Sequence, residues 1–482
     1  MIRVTSPSGT LTFPDGQYLS VTSRLSLGAG GQTGMFLLRN RLFAEHAGIT
    51  PTLVSFDDQA DHPHIRAELL AAGRIHPSTV VLNLFEWLRT QPLEAQDDEI
   101  LATPPDLAAT VDPRPDGTKH RTRYLDEAGR CVVRDYHRPD GSVYLRRTPE
   151  GVLLAGPDGR IVRRFAHLGA LRRWWLTRLF DPDPLRPVFL ISDSRFALRH
   201  LVPLADRSRV RLIHVVHNIH VREPYRWDSP AHPTHAPVLD AIPRLDALVT
   251  LTHRQRDDIS ARFATANNLH VVPNPVDPQP VDDETPRQPA SFVMLGRLMP
   301  QKRIDHAVRA FARMARQEPG ATLDIHGDGE EREALAALIA ELGLEKSVRL
   351  RGYDPLARES LRTATALLLT SRFEGYPLVV LEALEHGCPV IAYDIAYGPR
   401  EQITHGTTGF LVPPGDLDAL AGHMVTLARD PLLARRLGQA ARASAADHSV
   451  DGYLRDWKAV LDAVELRRSG PAGRSGSGSR PD

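Results

Sequence analysis

From Ser291 onward the chain alternates short apolar runs, "SFVMLG", "ATLDIHG", "VRLRG", "ALLLTS" and "PVIAYD", with amphipathic stretches of helical spacing. Runs of this kind, bounded by turn residues, predict strands of a parallel sheet covered on both faces. An earlier set predicts a second such sheet: "VFLISD" (188–193), "RVRLIHVVH" (209–217), "DALVTLT" (246–252) and "LHVVPN" (269–274), opened by "QYLSVTS" (17–23) and "PTLVSF" (51–56). Between the two sets lies "PVDPQPVDDETPRQP" (275–289), whose Pro and Asp content reads as an interdomain linker.

The pattern changes from about Arg121 to Phe165, where Gly-containing turns at Glu127–Gly129, Asp140–Gly141, Glu150–Gly151 and Asp158–Gly159 separate short alternating runs. Strands joined that way form an antiparallel meander. The spacing, roughly ten residues, is too short for a solenoid unit. An inserted β-domain is therefore expected at 89–167, dividing a first α/β domain into 1–88 and 168–280, with helix resuming in "LRRWWLTRLF" (171–180). A second α/β domain at 281–445, a helix at 446–466 packing back and a disordered tail at 467–482, "RRSGPAGRSGSGSRPD", complete the expected division.

Composition narrows the chemistry. A chain of 482 residues, 42% hydrophobic, can bury more than one core. Its 59 basic and 59 acidic residues cancel, so no global field steers it to nucleic acid or anionic lipid, and binding must be local. Only Cys131 and Cys388 are present, the start lacks a signal-peptide pattern, and no apolar run reaches the ~18 residues of a membrane span. A cytoplasmic setting is expected, at most with peripheral contact at the inner face of a membrane.

The segment "SRFEGYPLVVLEALEHGCPV" (371–390) sets Glu374 and Glu382 on either side of an aliphatic wall. Pro377 suits the first position of a helix, whose missing N–H costs nothing, and "LVVLEAL" is apolar nearly all round, so the helix is expected to be buried with its N-terminal mouth open. Free N–H groups there attract anions, phosphate above all. Glu382 would sit about 7.5 Å along the axis from Pro377. A carboxylate that deep needs hydrogen-bond donors, which the hydroxyls of a sugar or a structural arginine could each provide. In "LGRLMPQKRID", Arg297 follows a strand-ending glycine and Lys302 begins the next helix. A planar fork beside a point charge suits a diphosphate, and a solvated basic loop has the same sequence. "IHGDGEE" (325–331) adds a Gly-rich strand-to-helix turn. In the first domain Gly30 and Gly31 precede a helix, where glycine lets backbone approach phosphate. "HVVHNIH" (214–220) brings His217 and His220 to the end of a strand, as core histidines or as ligand contacts. This H-x2-H pair lacks further ligands at a zinc spacing, so no metal site is expected.

Taken together, "GRLMPQK", "IHGDGEE", "SRFEGYPLVVLEALEHGCPVIAYD" and "GTTGFLVPPGD" resemble the second domain of the retaining glycosyltransferases of family 4, which have the GT-B fold, and Glu374 with Glu382 matches that family's E-x7-E element. The resemblance covers most of residues 205–465. It implies two Rossmann-like doubly wound domains facing a cleft, a nucleotide-sugar donor as substrate, and no cofactor or metal-binding D-x-D. By the same resemblance Arg297 and Lys302 would hold the donor diphosphate, Glu382 the ribose, and Glu374 and His217 the transferred sugar. Backbone N–H groups of the turn Gly375, Tyr376 to Leu378 would lie near phosphate, and the Gly30–Gly31 loop would border donor and acceptor.

The N-terminal elements "GGQTGMFLLRNRLFAEHAGITPTLVSFD" and "VLNLFEWLR", followed by an inserted β-domain, resemble the bacterial teichoic acid α-glycosyltransferases. That implies transfer of glucose or N-acetylglucosamine from a UDP-sugar to a polyol-phosphate polymer, and homo-oligomer formation through the insertion. Relatives with a similar insertion glycosylate Ser or Thr of proteins, so a polypeptide acceptor is the alternative, and a non-catalytic nucleotide-sugar-binding partner subunit is another. The basic runs "RRTPEGVLL" and "RIVRRFAHLGALRRWW" suit a polyanion or a solvated face.

Overall fold

The computed structural model describes residues 11–28, 30–94, 99–102, 106–263, 266–276 and 286–469. Its strands are β1 (Gln17–Thr22), β2 (Thr52–Ser55), β3 (Val80–Asn83), β4 (Ala108–Pro113), β5 (Lys119–Leu125), β6 (Cys131–His137), β7 (Val143–Thr148), β8 (Gly151–Ala155) and β9 (Ile161–Phe165). Then follow β10 (Val188–Ser192), β11 (Val210–Val215), β12 (Ala247–Thr250), β13 (Leu269–Val271), β14 (Ser291–Leu295), β15 (Thr322–His326), β16 (Val348–Gly352), β17 (Ala366–Leu369), β18 (Val390–Tyr393) and β19 (Gly409–Val412). They form three sheets, in the orders β13-β12-β11-β10-β1-β2-β3, β16-β15-β14-β17-β18-β19 and β4-β5-β6-β7-β8-β9. The first two are the expected parallel sheets of Rossmann-like units. The third is antiparallel throughout and inserted between β3 and β10. The fold is that of the GT-B class.

Of the described residues, those within Met1–Val215, Pro237–Leu248 and Val460–Asp482 form one compact unit, and those within Val216–Ala236 and Val249–Ala459 the other. In the second unit the strands alternate between two cores. Phe292, Met294, Ala366, Leu368, Ile391 and Tyr393 pack in one. Val293, Leu367, Leu369, Val390 and Ala392 pack in the other, together with Val380, Ala383 and Leu384 of helix 378–385. Both faces are covered, which is why these strands read as unbroken apolar runs.

Three strands escaped the pattern: β3 runs straight into helix 84–90 with no turn between, β19 is confined between Gly409 and Pro413, and β4 ends on Pro113 at the sheet edge, where proline forfeits no ladder bond. The meander is therefore six strands rather than the five that begin near Arg121. The C-terminal boundary also moves. Helix 450–469 continues through Ser469, past the expected tail start at Arg467, because Arg467 donates to the Asp246 carbonyl and Arg468 pairs with the Asp246 carboxylate at 2.5 and 2.9 Å. The rest of the expected tail, 470–482, and residues 277–285 of the expected linker lie outside the described residues.

Candidate functional site

The loop after β14 is held by its neighbours on both sides. Leu298 N–H donates to the Asp328 carbonyl at 3.0 Å, and Glu331 N–H returns to the Leu298 carbonyl at 3.0 Å. Glycine is required where these loops meet: a Cβ at Gly327 would lie 1.9 Å from the Gly296 carbonyl oxygen, and one at Gly329 2.3 Å from that of Leu298. The "IHGDGEE" glycines thus serve loop-against-loop packing. On the other side, the Thr370 hydroxyl donates to the carbonyls of Lys302 and Arg303 at 3.0 and 2.8 Å, Arg372 N–H to the Gln301 carbonyl at 2.8 Å, and the Gln301 amide to the Phe373 carbonyl at 3.0 Å.

This stapling sets Lys302 against Glu374. Lys302 Nζ is 2.5 Å from Glu374 Oε1, and the Ser371 hydroxyl donates to the same oxygen at 2.7 Å. The Glu374 backbone is fixed as well, its N–H donating to the Ala396 carbonyl and its carbonyl accepting from Tyr397 N–H. The other carboxylate oxygen, Oε2, has no hydrogen-bond partner among the described residues. Neither has the exposed Arg297 side chain, at the carboxyl end of β14. Beneath Lys302 a cavity of about 10 Å³, room for one water, is lined by Gly296, Thr370 and Ser371 among others.

Helix 378–385 begins one residue later than expected: Pro377 is its N-cap, with no side chain to cap the first N–H groups. Gly375 leads into it against the 217–218 backbone, since a Cβ there would lie 2.1 Å from the His217 carbonyl oxygen. Glu382 is half-buried. Burial pushes its carboxyl above the ordinary value against the pull of Arg358, and no side-chain hydrogen bond reaches it among the described residues. The structural-arginine alternative is therefore not what the structure contains at Glu382, while Glu374 is paired with a lysine.

The remaining expected residues divide by location. His217 is placed beside Gly375 by its backbone. His220 is fully buried, its ring stacked on Tyr397 (6.0 Å, 8°), and burial with the charge of Arg262 lowers its pKa to about 4, the behaviour of a core histidine. Tyr376 turns its ring inward, its hydroxyl 3.2 Å from His448 Nδ1, so at the turn only its backbone is presented. Gly30 and Gly31 belong to the first unit, Gly30 as N-cap of helix 31–46 without a side-chain cap. Below that helix the Arg39 guanidinium grips Asp193 at 2.8 and 2.6 Å, both side chains buried. Sequence reasoning missed Ser371, Thr370, Gln301 and the Arg39–Asp193 pair. Ser371, three residues before Glu374 at the end of a strand, was the one with a local signal.

Residues 278–444 match the family model described as glycosyl transferases group 1. An exopolysaccharide phosphotransferase of Streptomyces coelicolor is 36% identical over 240 residues, 49% of this chain but only 25% of that protein. A poly(glycerol-phosphate) alpha-glucosyltransferase of Bacillus subtilis is 23% identical over 532 residues, covering 97% of this chain and 78% of its own length. Among solved structures, the crystal structure of TarM is similar at a TM-score of 0.79 with 18% identity, covering 93% of this chain and 99% of that one. The pneumococcal O-GlcNAc transferase GtfA, in complex with UDP and GlcNAc, is similar at 0.73 with 18% identity, covering 94% and 99%.

Proposed function

We propose that the chain is a retaining glycosyltransferase that moves glucose or N-acetylglucosamine from a UDP-sugar to a hydroxyl of a polyol-phosphate polymer of the teichoic acid kind. The observation that carries the reading is the constellation at the carboxyl ends of β14 and β17. A lysine is fixed by a carboxylate that a serine also holds, beside an arginine without a side-chain partner among the described residues; one carboxylate oxygen is left open, and a second glutamate, unpaired among the described residues, lies between one and two turns into the helix. The alignment with the Bacillus poly(glycerol-phosphate) enzyme over nearly the whole chain supports the acceptor class.

In this reading Lys302 and Arg297 neutralise the charge that gathers on the diphosphate as the glycosidic bond breaks. The open oxygen of Glu374 accepts hydroxyl protons of the transferred sugar, and Glu382 those of the ribose. The N–H groups of Leu378 and its neighbour face phosphate at an uncapped helix start. His217 completes the sugar contacts. The acceptor oxygen attacks the anomeric carbon on the face the diphosphate leaves, the bonding pair stays with the diphosphate oxygen, and that oxygen takes the acceptor proton. Products are the α-glycoside and UDP, and no enzymic nucleophile is used.

The test is incubation of the purified chain with UDP-glucose and UDP-N-acetylglucosamine against poly(glycerol phosphate), poly(ribitol phosphate) and a Ser/Thr-rich peptide, following UDP release and acceptor mass. Mass gain on a polyol-phosphate polymer with retained anomeric configuration is expected. Gain on the peptide alone would transfer the reading to protein glycosylation, and no UDP release with any pair would leave a binding subunit.

A further inference from the structure

The arginines scattered through the basic runs meet in the first unit. Arg123 of β5 lies directly opposite Arg134 of β6, and Arg134 directly opposite Arg147 of β7. Residues so placed share a face at about 5 Å spacing, where like charges destabilise the sheet. Arg121 lies on the same face, two residues along β5. Against this row stand two carboxylates. Asp112 takes Arg121 at 2.5 Å and Arg123 at 3.0 Å, while Asp58 takes Arg121 at 2.9 Å and is 3.8 Å from Arg134. Arg147 has no hydrogen bond or ion pair among the described residues. The opposite face differs: there the cross-strand neighbours Asp135 and Arg146 form a buried two-bond pair at 2.7 Å.

Two more guanidiniums extend the row. Arg172 of helix 168–178 lies over the Phe56 ring at 5.2 Å and donates to His200 Nε2 at 2.7 Å, with its own Nε buried and unpartnered. Arg199 reaches the same His200 nitrogen at 3.1 Å. Burial, then the like charges of Arg147 and Arg199, lowers the pKa of Arg172 to about 10. Burial and the arginines around it push His200 down to about 3, so the imidazole is a neutral acceptor that cancels neither charge.

Six guanidiniums against two carboxylates is an arrangement that an incoming anion would relieve. We propose that the strip Arg123, Arg134, Arg147, Arg172 and Arg199 binds successive phosphates of a polyol-phosphate chain, and so forms the docking surface for the acceptor. A chain with one charge per repeat can engage several of these cations at once, whereas a neutral glycan or a Ser/Thr-rich peptide without acidic residues has no anion to offer them. This rests on the acceptor class proposed above.

The experiment is titration of fluorescently labelled poly(glycerol phosphate) into the full chain at low and high salt, followed by anisotropy, in the absence of donor. Wild type, Arg147→Gln/Arg172→Gln and Arg147→Lys/Arg172→Lys are compared. The wild type should bind, and bind more weakly as salt rises. The Gln pair should lose about tenfold or more in affinity, the Lys pair should recover most of it, and UDP binding should be the same in all three. Relief of repulsion should leave the thermal midpoint of the Gln pair at or above wild type. Equal polymer affinity of wild type and Gln pair, no binding by wild type, or equally good competition by RNA or anionic vesicles would each overturn the strip as an acceptor dock. Turnover separates the two claims: polymer bound but never glycosylated contradicts the catalytic reading alone, and glycosylation with unchanged KM in the Gln pair contradicts the strip alone.

Discussion

Lys302 is held at 2.5 Å from Glu374, so its charge is already in place before any ligand arrives. If that charge steadies the leaving diphosphate, Lys302→Ala should slow kcat by ~10²-fold or more, as removal of comparable electrostatic groups does. Near-normal single-turnover rates would remove it from that role. Glu382 gives a different signature. Its raised carboxyl means the folded state holds the proton more tightly than the unfolded chain, so stability falls as pH rises from the ordinary value of 4.5 through the raised one. Glu382→Gln should remove that fall in pH-dependent unfolding, be the more stable protein at pH 7, and bind UDP more weakly. Equal unfolding profiles would show that the burial of the charge is without cost. At this scale the two glutamates, Arg297 and Lys302 were legible because each stands where apolar or turn residues make a charge conspicuous. Thr370 and Gln301 were not, because polar residues in a loop carry no period and their partners lie about 70 positions away in the chain; Ser371 had only its nearness to Glu374, three positions on, to mark it.

Between elements, the site depends on loops that touch through glycine. Gly327→Ala would drive a Cβ into the Gly296 carbonyl at a positive φ of 140°, and about 1–3 kcal/mol of destabilisation is expected from such overpacking, with weaker UDP binding as the β14 loop shifts. Gly422→Ala is the contrast: it lies inside helix 417–429 with nothing within 4 Å of the added carbon, and should stabilise by up to about 1 kcal/mol. Thermal unfolding of the two variants reads both signs, and a stabilising Gly327→Ala would contradict the packing argument. Most strands of the two parallel sheets were legible, since burial on both faces leaves an unbroken apolar run. β3, which runs into its helix without a turn, β19, confined between Gly409 and Pro413, and β4 with its proline gave too little pattern to separate from loop.

At the scale of the whole molecule, several histidines are buried as neutral rings, His220 with a pKa lowered to about 4 and His200 to about 3. The unfolded chain protonates such groups near 6.5 while the folded one does not, so stability should be full above that value and fall as pH drops through 6.5 toward 4. Urea unfolding between pH 8 and 4 checks this, and a flat profile over that range would contradict it. The two sheets and the inserted meander were readable from turn spacing and strand runs, whereas the row of cross-strand arginines was not, because register is a property of paired strands rather than of any one segment. The central claim is that Arg297, Lys302, Glu374 and Glu382 together receive a nucleotide diphosphate. A crystal structure of the chain with UDP tests it most directly. The account expects the diphosphate within hydrogen-bonding reach of Arg297 and Lys302 and the ribose on Glu382, and UDP bound away from those side chains would contradict it.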